Sequence, residues 1–204
     1  YFYITGPVNS SVADKIQNIK KSKKICFFTR IGKNSSHKGF KFLKNLNQKD
    51  LAGYEIVVIF GGSLPPKNVT DKIEKTFSSN DISIKFVNQV SEQQKFEIIK
   101  ESRLLFFPEE FTGFGLPAVE ATYCSTRVLC FDTPEMKKYH NNHGLYHYMN
   151  RENIYEMIKY SINNCFFTEK ELLLVKKEKE KLEMKNNVED LLLKILKTYN
   201  LEMV

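Results

Sequence analysis

The sequence predicts a doubly wound α/β fold built on a parallel sheet, and three observations carry that reading. Five short segments are apolar on both faces: "KICFFTR" (Lys24–Arg30), "YEIVVIF" (Tyr54–Phe60), "ISIKFV" (Ile82–Val87), "RLLFF" (Arg103–Phe107) and "RVLCFD" (Arg127–Asp132). Strands without polar alternation belong to a sheet covered on both sides. Helical patterns lie between them, which is how parallel neighbours are connected. The strands also end at turn signals, Gly61-Gly62 after the second and Pro108 after the fourth.

The elements follow in order. After the first strand, "KGFKFLKNL" puts Phe40, Leu43 and Leu46 on one side of a helix. "SEQQKFEIIKES" opens on Ser91, an N-cap residue, and predicts a helix leading into the fourth strand. "LPAVEATYC" reads as a helix whose first turn accommodates Pro117. The segment "KKYHNNHGLYHYMN" reads as a polar loop running into a short strand, despite its His140, His143 and His147. Farther on, Ile154, Met157, Ile158 and Ile162 form one helical stripe, and Val188, Leu191, Leu192, Ile195 and Tyr199 another, so the last ~40 residues are expected to be helical. No internal repeat or low-complexity linker divides the chain, and residues 1–204 read as one domain.

Composition narrows the function classes. With 42% apolar residues and 16 Phe the chain can bury a substantial core. No run reaches the ~18 apolar residues of a membrane span, and no secretory leader is apparent. Cys26, Cys124, Cys130 and Cys165 share no CxxC spacing, so neither a metal site nor a disulfide framework is expected and a reducing, cytoplasmic setting is the default. The net charge is +7, but the lysines are scattered, and the densest run, "KKEKEKLEMK", alternates in sign as a solvated helix face does. Nucleic-acid binding is therefore not expected. The basic balance suits a phosphate-bearing ligand, and peripheral attachment to an anionic membrane surface is the weaker compositional reading.

In a doubly wound sheet, ligands bind beyond the carboxyl ends of the strands. The loops there are Thr29–Gly39, Gly61–Pro66, Asn88–Ser91, Pro108–Leu116 and Asp132–Glu135. "TGFGLPAVEA" (Thr112–Ala121) is the most suggestive. Phe114 lies between Gly113 and Gly115, so the backbone can turn tightly and present amides ahead of a helix N-terminus, beginning at about Leu116, where anions are favoured. Glu120, on the first turns of that helix, could accept hydrogen bonds from a ribose diol. Arg30 and Lys38 flank the first loop and could clamp a diphosphate, Arg through its fork and Lys as a point charge. A dinucleotide reading competes, because Gly113-x-Gly115-x-x-Ala118 with Asp132 formally fits an NAD(P) fingerprint. Against it, residues 108–112 separate the motif from its strand, and the motif sits in the fourth strand–helix unit instead of the first. No HExxH, DxD, P-loop or G-x-S-x-G elbow occurs.

Taken together these motifs resemble the nucleotide-sugar half, the C-terminal half, of a GT-B retaining glycosyltransferase of family 4 (glycosyl transferases group 1). "FFTRIGKNSSHKGFKFL" is similar to that family's strand, arginine, loop and "KG" helix start. "YEIVVIFGG" resembles its second strand and glycine turn, and "VSEQQKFEIIKESRLLFFP" its run into the active loop. "TGFGLPAVEATYCSTRVLCFDTPEM" resembles the signature loop, helix and following strand, and "HGLYHYMNRENIYEMIKYSINN" the late strand and helix. The resemblance implies a Rossmann-like domain that binds a UDP- or GDP-sugar, with no metal and no other cofactor. It implies that Arg30 and Lys38 stabilise the departing diphosphate, with Lys33 as a rival for the phosphate. The turn at Gly62, and Thr112, Gly113, Phe114, Gly115 and Leu116, would surround the donor, Glu120 would hold the ribose and Val87–Val90 would lie by the base. Where the family carries a first glutamate, eight residues before Glu120, this chain has Thr112. A GT-B enzyme also has an N-terminal acceptor domain. That domain, or a partner chain supplying it, is expected to lie outside this sequence, and the donor domain is expected to be inactive alone. The alternative is a non-catalytic subunit or scaffold of the same fold.

Overall fold

The computed structural model describes residues 8–16, 19–31, 38–112, 114–140 and 144–182. Six strands form one parallel sheet: β1 (Lys24–Thr29), β2 (Glu55–Phe60), β3 (Ser83–Asn88), β4 (Leu104–Phe107), β5 (Arg127–Phe131) and β6 (Tyr146–Met149), in the order β3-β2-β1-β4-β5-β6. All five pairings are parallel, with Cys26 opposite both Val57 and Leu105. The predicted fold class is therefore the observed one. The chain moves outward from β1 to β3, then returns to lay β4 on the other side of β1. That reversal is the topological switch point, where the connections leaving β1 and β4 part and open a crevice.

Two faces of one sheet explain the unbroken apolar strands. Ile25, Phe27, Ile56, Val58, Leu104, Phe106 and Leu129 point to one core, and Cys26, Leu105, Phe107, Val128 and Cys130 to the other. The alternation is that of a pleated strand, with both faces apolar because both are covered. The first core is closed by Phe42, Leu43 and Leu46, by Phe77 of α2 (Lys67–Ser78) and by Ile154 and Ile158 of α6 (Ile154–Asn163). Across this layer the Phe27 and Phe106 rings lie 5.6 Å apart and tilted. The second core is closed by Phe96 and Ile99 of α3 (Glu92–Glu101), by Ala118, Val119, Ala121 and Tyr123 of α4 (Leu116–Tyr123), by Met136 of α5 (Pro134–His140), by Ala13 of α1 (Ser10–Ala13) and by Val175 of α7 (Glu169–Leu182).

Several elements differ from expectation for local reasons. The segment Phe40–Leu46 is a 3-10 helix, not an α-helix, and its entry residue Gly39 has φ +80°. A Cβ at Gly39 would lie 2.4 Å from the carbonyl oxygen of Pro108, so this glycine lets the segment bearing Lys38 close against the loop after β4. Helix α2 carries few apolar residues and gave no clear period in the sequence; only Phe77 is buried from it. Ser91 does cap α3, accepting from the Gln94 amide, while the Gln94 side chain accepts from the Ser91 amide. The α6 stripe is inward as predicted, with Ile154 and Ile158 buried and Met157 and Ile162 packed against them. The second stripe, from Val188 to Tyr199, lies outside the described residues. All four cysteines are buried free thiols.

At the opposite end of the sheet from the switch-point loops, Arg127 pins the tail. Its guanidinium, 3% exposed, is 2.9 Å from Glu171 Oε1, donates to the carbonyls of Gly144, Asn164 and Phe166, and covers the Phe167 ring at 4.2 Å. Among the described residues no helix is long and apolar enough to cross a membrane.

Candidate donor-binding site

A cleft of about 570 Å³ lies at the switch point. Its walls come from the carboxyl ends of β1, β2 and β4 and from the loops beyond them. Arg30 and Lys38 line one side, and Gly61 and Gly62 the turn after β2. Gln89 and Val90 line the base of α3, joined by Lys95 from its first turns. Glu109, Thr112, Leu116 and Pro117 complete the lining. The volume is within the ~300–1,000 Å³ of small-molecule sites.

Each cation is held in a definite way. Arg30 follows β1 directly and is exposed; its Nε donates to the Gly61 carbonyl at 3.0 Å. Lys38 reaches the cleft because Thr29 Oγ1 donates to the Lys38 carbonyl at 2.9 Å, tying the loop's end to the strand it left. Its ammonium lies 2.7 Å from Glu109 Oε2, a carboxylate whose side chain is only 8% exposed. Lys95 Nζ is 2.7 Å from both Glu92 Oε1 and Glu120 Oε1. The lining thus carries three cations and one carboxylate, a field suited to a polyanion.

Of the signature loop, Thr112 and Leu116 line the cleft, and Phe114 packs into the second core instead. Gly113 lies outside the described residues, as do Lys33, His37 and His143. Gly115 enters α4 at φ +71°, a left-handed conformation that suits glycine, and turns the chain from loop to helix. Its carbonyl accepts from the Ala118 and Val119 amides at 2.9 and 3.3 Å. Pro117 has no N–H, so of the first four helical residues only the Leu116 amide remains for a ligand. This helix start offers fewer donors than its dipole alone suggests.

Glu120 is the main surprise. It is only 4% exposed and is not part of the cleft lining; Lys95 is. Burial pushes the Glu120 carboxyl above its ordinary pKa, and the Lys95 ammonium offsets this only in part. Burial would lower the Lys95 pKa, but the two carboxylates outweigh it and hold the value above the ordinary one. Glu109 and Glu110, adjacent in sequence, part company. Glu109 faces the cleft, whereas Glu110 is paired with Lys41 and Arg151 away from it.

Sequence reasoning did not single out Lys95, and it set Glu109 aside as out of register with the signature. Neither belongs to a recognisable motif. Gln89, in the loop expected near a base, has φ +51°, an uncommon conformation for a non-glycine residue that turns the chain into α3. Asp132, the acid of the dinucleotide reading, ends β5 and pairs with Lys137 at 2.8 Å. His147 is not in a metal cluster; its Nδ1 lies 2.9 Å from Ser161 Oγ. Among the described residues no group of three or more His, Cys, Asp or Glu could hold a metal.

Comparison with known proteins decides the family. The model of the glycosyl transferases group 1 family matches residues 10–164, about three quarters of the chain. This chain belongs to that family. The match spans all six strands and every cleft residue described above. Among solved structures, the fold is similar to the pneumococcal O-GlcNAc transferase GtfA in complex with UDP and GlcNAc, with TM-score 0.62, 16% identity, and coverage of 87% of this chain and 36% of that one. A glycosyltransferase from Rickettsia africae gives TM-score 0.60 at 15% identity, covering 92% of this chain and 50% of that one. The C-terminal domain of a glycosyl transferase group 1 family protein, LpcC from Francisella tularensis, gives TM-score 0.51 at 17% identity, covering 78% of this chain and 86% of that one. Identities this low show the fold alone, and the chain spans only about a third to a half of the two longer structures. No curated protein matches the sequence.

Proposed function

We propose that the switch-point cleft is the donor site of a retaining glycosyltransferase, which moves a sugar from a nucleotide diphospho-sugar, UDP- or GDP-linked, to an acceptor presented by another domain or a partner chain. The observation that carries this is the convergence of Arg30, Lys38 and Lys95 on one cleft at the carboxyl edge of the sheet. Family membership and the likeness to a fold solved with UDP and GlcNAc support it.

Chemically, cleavage of the sugar–phosphate bond leaves a nucleoside diphosphate that gains negative charge. Arg30 and Lys38, fixed before the reaction by the Gly61 carbonyl and by Glu109, would stabilise that charge with little reorganisation. Two side-chain cations can fill the role that a divalent ion fills elsewhere, so we read the transfer as metal-independent. The Leu116 amide and the Gly113–Gly115 backbone would face the sugar, beside Thr112. Glu120 would serve the ribose end through its pair with Lys95, and Gln89 and Val90 the base. One observation favours the non-catalytic reading of the same fold: Thr112 brings a neutral hydroxyl to the wall where a carboxylate would be expected.

Calorimetric titration of the chain with UDP, GDP and the matching nucleosides tests the proposal. Arg30→Ala should weaken diphosphate binding about 10- to 100-fold, the equivalent of one or two charged hydrogen bonds, and leave nucleoside binding nearly unchanged. Equal weakening of both would remove Arg30 from the phosphate. Absence of binding by folded wild-type protein would overturn the donor-site reading.

A further inference from the structure

We propose that Lys95 is the residue that meets the ligand at the ribose end of the cleft, and that Glu120 is a positioning residue acting through it. This rests on the nucleotide reading above and assigns a group that no motif marks.

The geometry divides the pair. Lys95 lines the cleft and Glu120 does not, although their charged atoms are 2.7 Å apart. The Glu120 side chain is 5% exposed, against 15% for Lys95, so the ammonium stands between the carboxylate and the cleft. Two N–H groups of Lys95 go to Glu92 and Glu120, and an ammonium has a third to offer. The position is held from several sides. Lys95 sits in the first turns of α3, whose start is fixed by the Ser91–Gln94 capping box, and its ammonium lies 4.8 Å from the Phe96 ring centroid. Glu120 comes from α4, so the ion pair ties together the two helices that flank this end of the cleft.

A pair this buried needs a reason beyond stability. Desolvating two charges offsets most of their attraction, and apolar residues of the same volume commonly serve a fold as well or better. Lys95 therefore provides a fixed cation at the cleft wall, farther along than Arg30 and Lys38. An ammonium recognises acceptor oxygens: the hydroxyls of a ribose and the phosphate attached to it. A carboxylate at the same place would recognise only donors. With Glu92 and Glu120 as its anchors, Lys95 meets the ligand with its rotamer already set, so less conformational entropy is lost on binding.

The test is a double-mutant cycle read with two ligands. Wild type, Lys95→Met, Glu120→Gln and the double variant Lys95→Met/Glu120→Gln are titrated with UDP and GDP, and with the 2′,3′-dideoxy form of whichever binds. Lys95→Met should lose about 10-fold or more in affinity for the natural nucleotide and much less for the dideoxy form. Glu120→Gln should lose less, and adding it to Lys95→Met should cost nothing further, because its effect passes through Lys95. A direct Glu120 contact would reverse the order: Glu120→Gln would abolish ribose discrimination, Lys95→Met would retain it, and the proposal would fall. Wild-type binding with Lys95→Met unchanged would also overturn the proposal while leaving the donor site intact. Wild type that binds neither nucleotide would take down the donor site and this inference together. Lys95→Met leaves a buried carboxylate unpaired; if it does not fold, the neutral pair Lys95→Met/Glu120→Met removes both charges and should show the same ribose-dependent loss.

Discussion

Replacing Gly39 by alanine tests how the cleft is assembled. Gly39 has φ +80°, and a Cβ there would meet the Pro108 oxygen at 2.4 Å, its carbonyl carbon at 2.8 Å and its ring Cγ at 2.9 Å. Two of these atoms are backbone at the end of a central strand and cannot move aside cheaply. A left-handed conformation costs a non-glycine residue about 1–2 kcal/mol, and forcing an extra carbon into a filled space adds about 1–3 kcal/mol. Alanine recovers about 0.4–1 kcal/mol by restricting the unfolded chain. The net expectation is a loss of about 2–4 kcal/mol, or roughly 5–15 °C in Tm for a chain of this size. Gly53 is the control: its φ is +75°, yet a Cβ there meets only Lys23 Nζ at 3.7 Å. Gly53→Ala should therefore cost about 1 kcal/mol, the backbone part alone. Urea denaturation of the two variants and the wild type measures both. Equal losses would show that the contact with Pro108 carries no weight, and a Gly39→Ala loss under about 0.5 kcal/mol would refute the reasoning. Because Lys38 precedes Gly39, folded Gly39→Ala should also bind a nucleoside diphosphate more weakly, whereas Gly53→Ala should not.

Two further outcomes follow from the rest of the molecule. Burial, with the nearby Arg127 charge, lowers the His147 pKa to about 4, so folding requires its neutral form. That contribution is complete above the ordinary value of 6.5 and is lost as pH falls toward 4, amounting to at most about 3 kcal/mol before solvent screening reduces it. The stability of His147→Asn should fall less than that of wild type over this window, and parallel pH curves would exclude the histidine as the cause. At the other end of the sheet, Arg127→Met should destabilise by about 3–5 kcal/mol, because Glu171 and three carbonyls lose a buried partner. Arg127→Met/Glu171→Met should recover part of that loss in urea denaturation, and no recovery would mean that the ion pair is not the source.

The fold was legible because its signals are local. An apolar strand covered on both faces needs no knowledge of its neighbours to be recognised, and Lys24–Thr29, Glu55–Phe60 and Arg127–Phe131 lie within one residue of the predicted segments. The capping box at Ser91 is equally local, since donor and acceptor lie three residues apart. Helix α2 was missed because one buried phenylalanine in twelve residues leaves no period to detect. Arg30, Lys38, Gly62, Thr112 and Leu116 could be placed on the cleft from sequence because each follows a strand, and the carboxyl edge of a parallel sheet fixes where such residues gather.

The division between Lys95 and Glu120 could not be read that way. Their charged atoms meet across 25 positions of sequence, from two helices whose spacing is set by the core packed beneath them. Neighbouring acids were likewise indistinguishable in sequence until the loop after β4 turned Glu109 toward Lys38 and Glu110 toward Lys41 and Arg151. By itself the sequence determined the strand–helix alternation, the parallel sheet and the edge on which a ligand would bind, because these depend on hydrophobic period and chain direction. Only the tertiary structure decided which charges face the cleft and which neutralise each other behind it, because that depends on distances and burial between segments far apart in the chain.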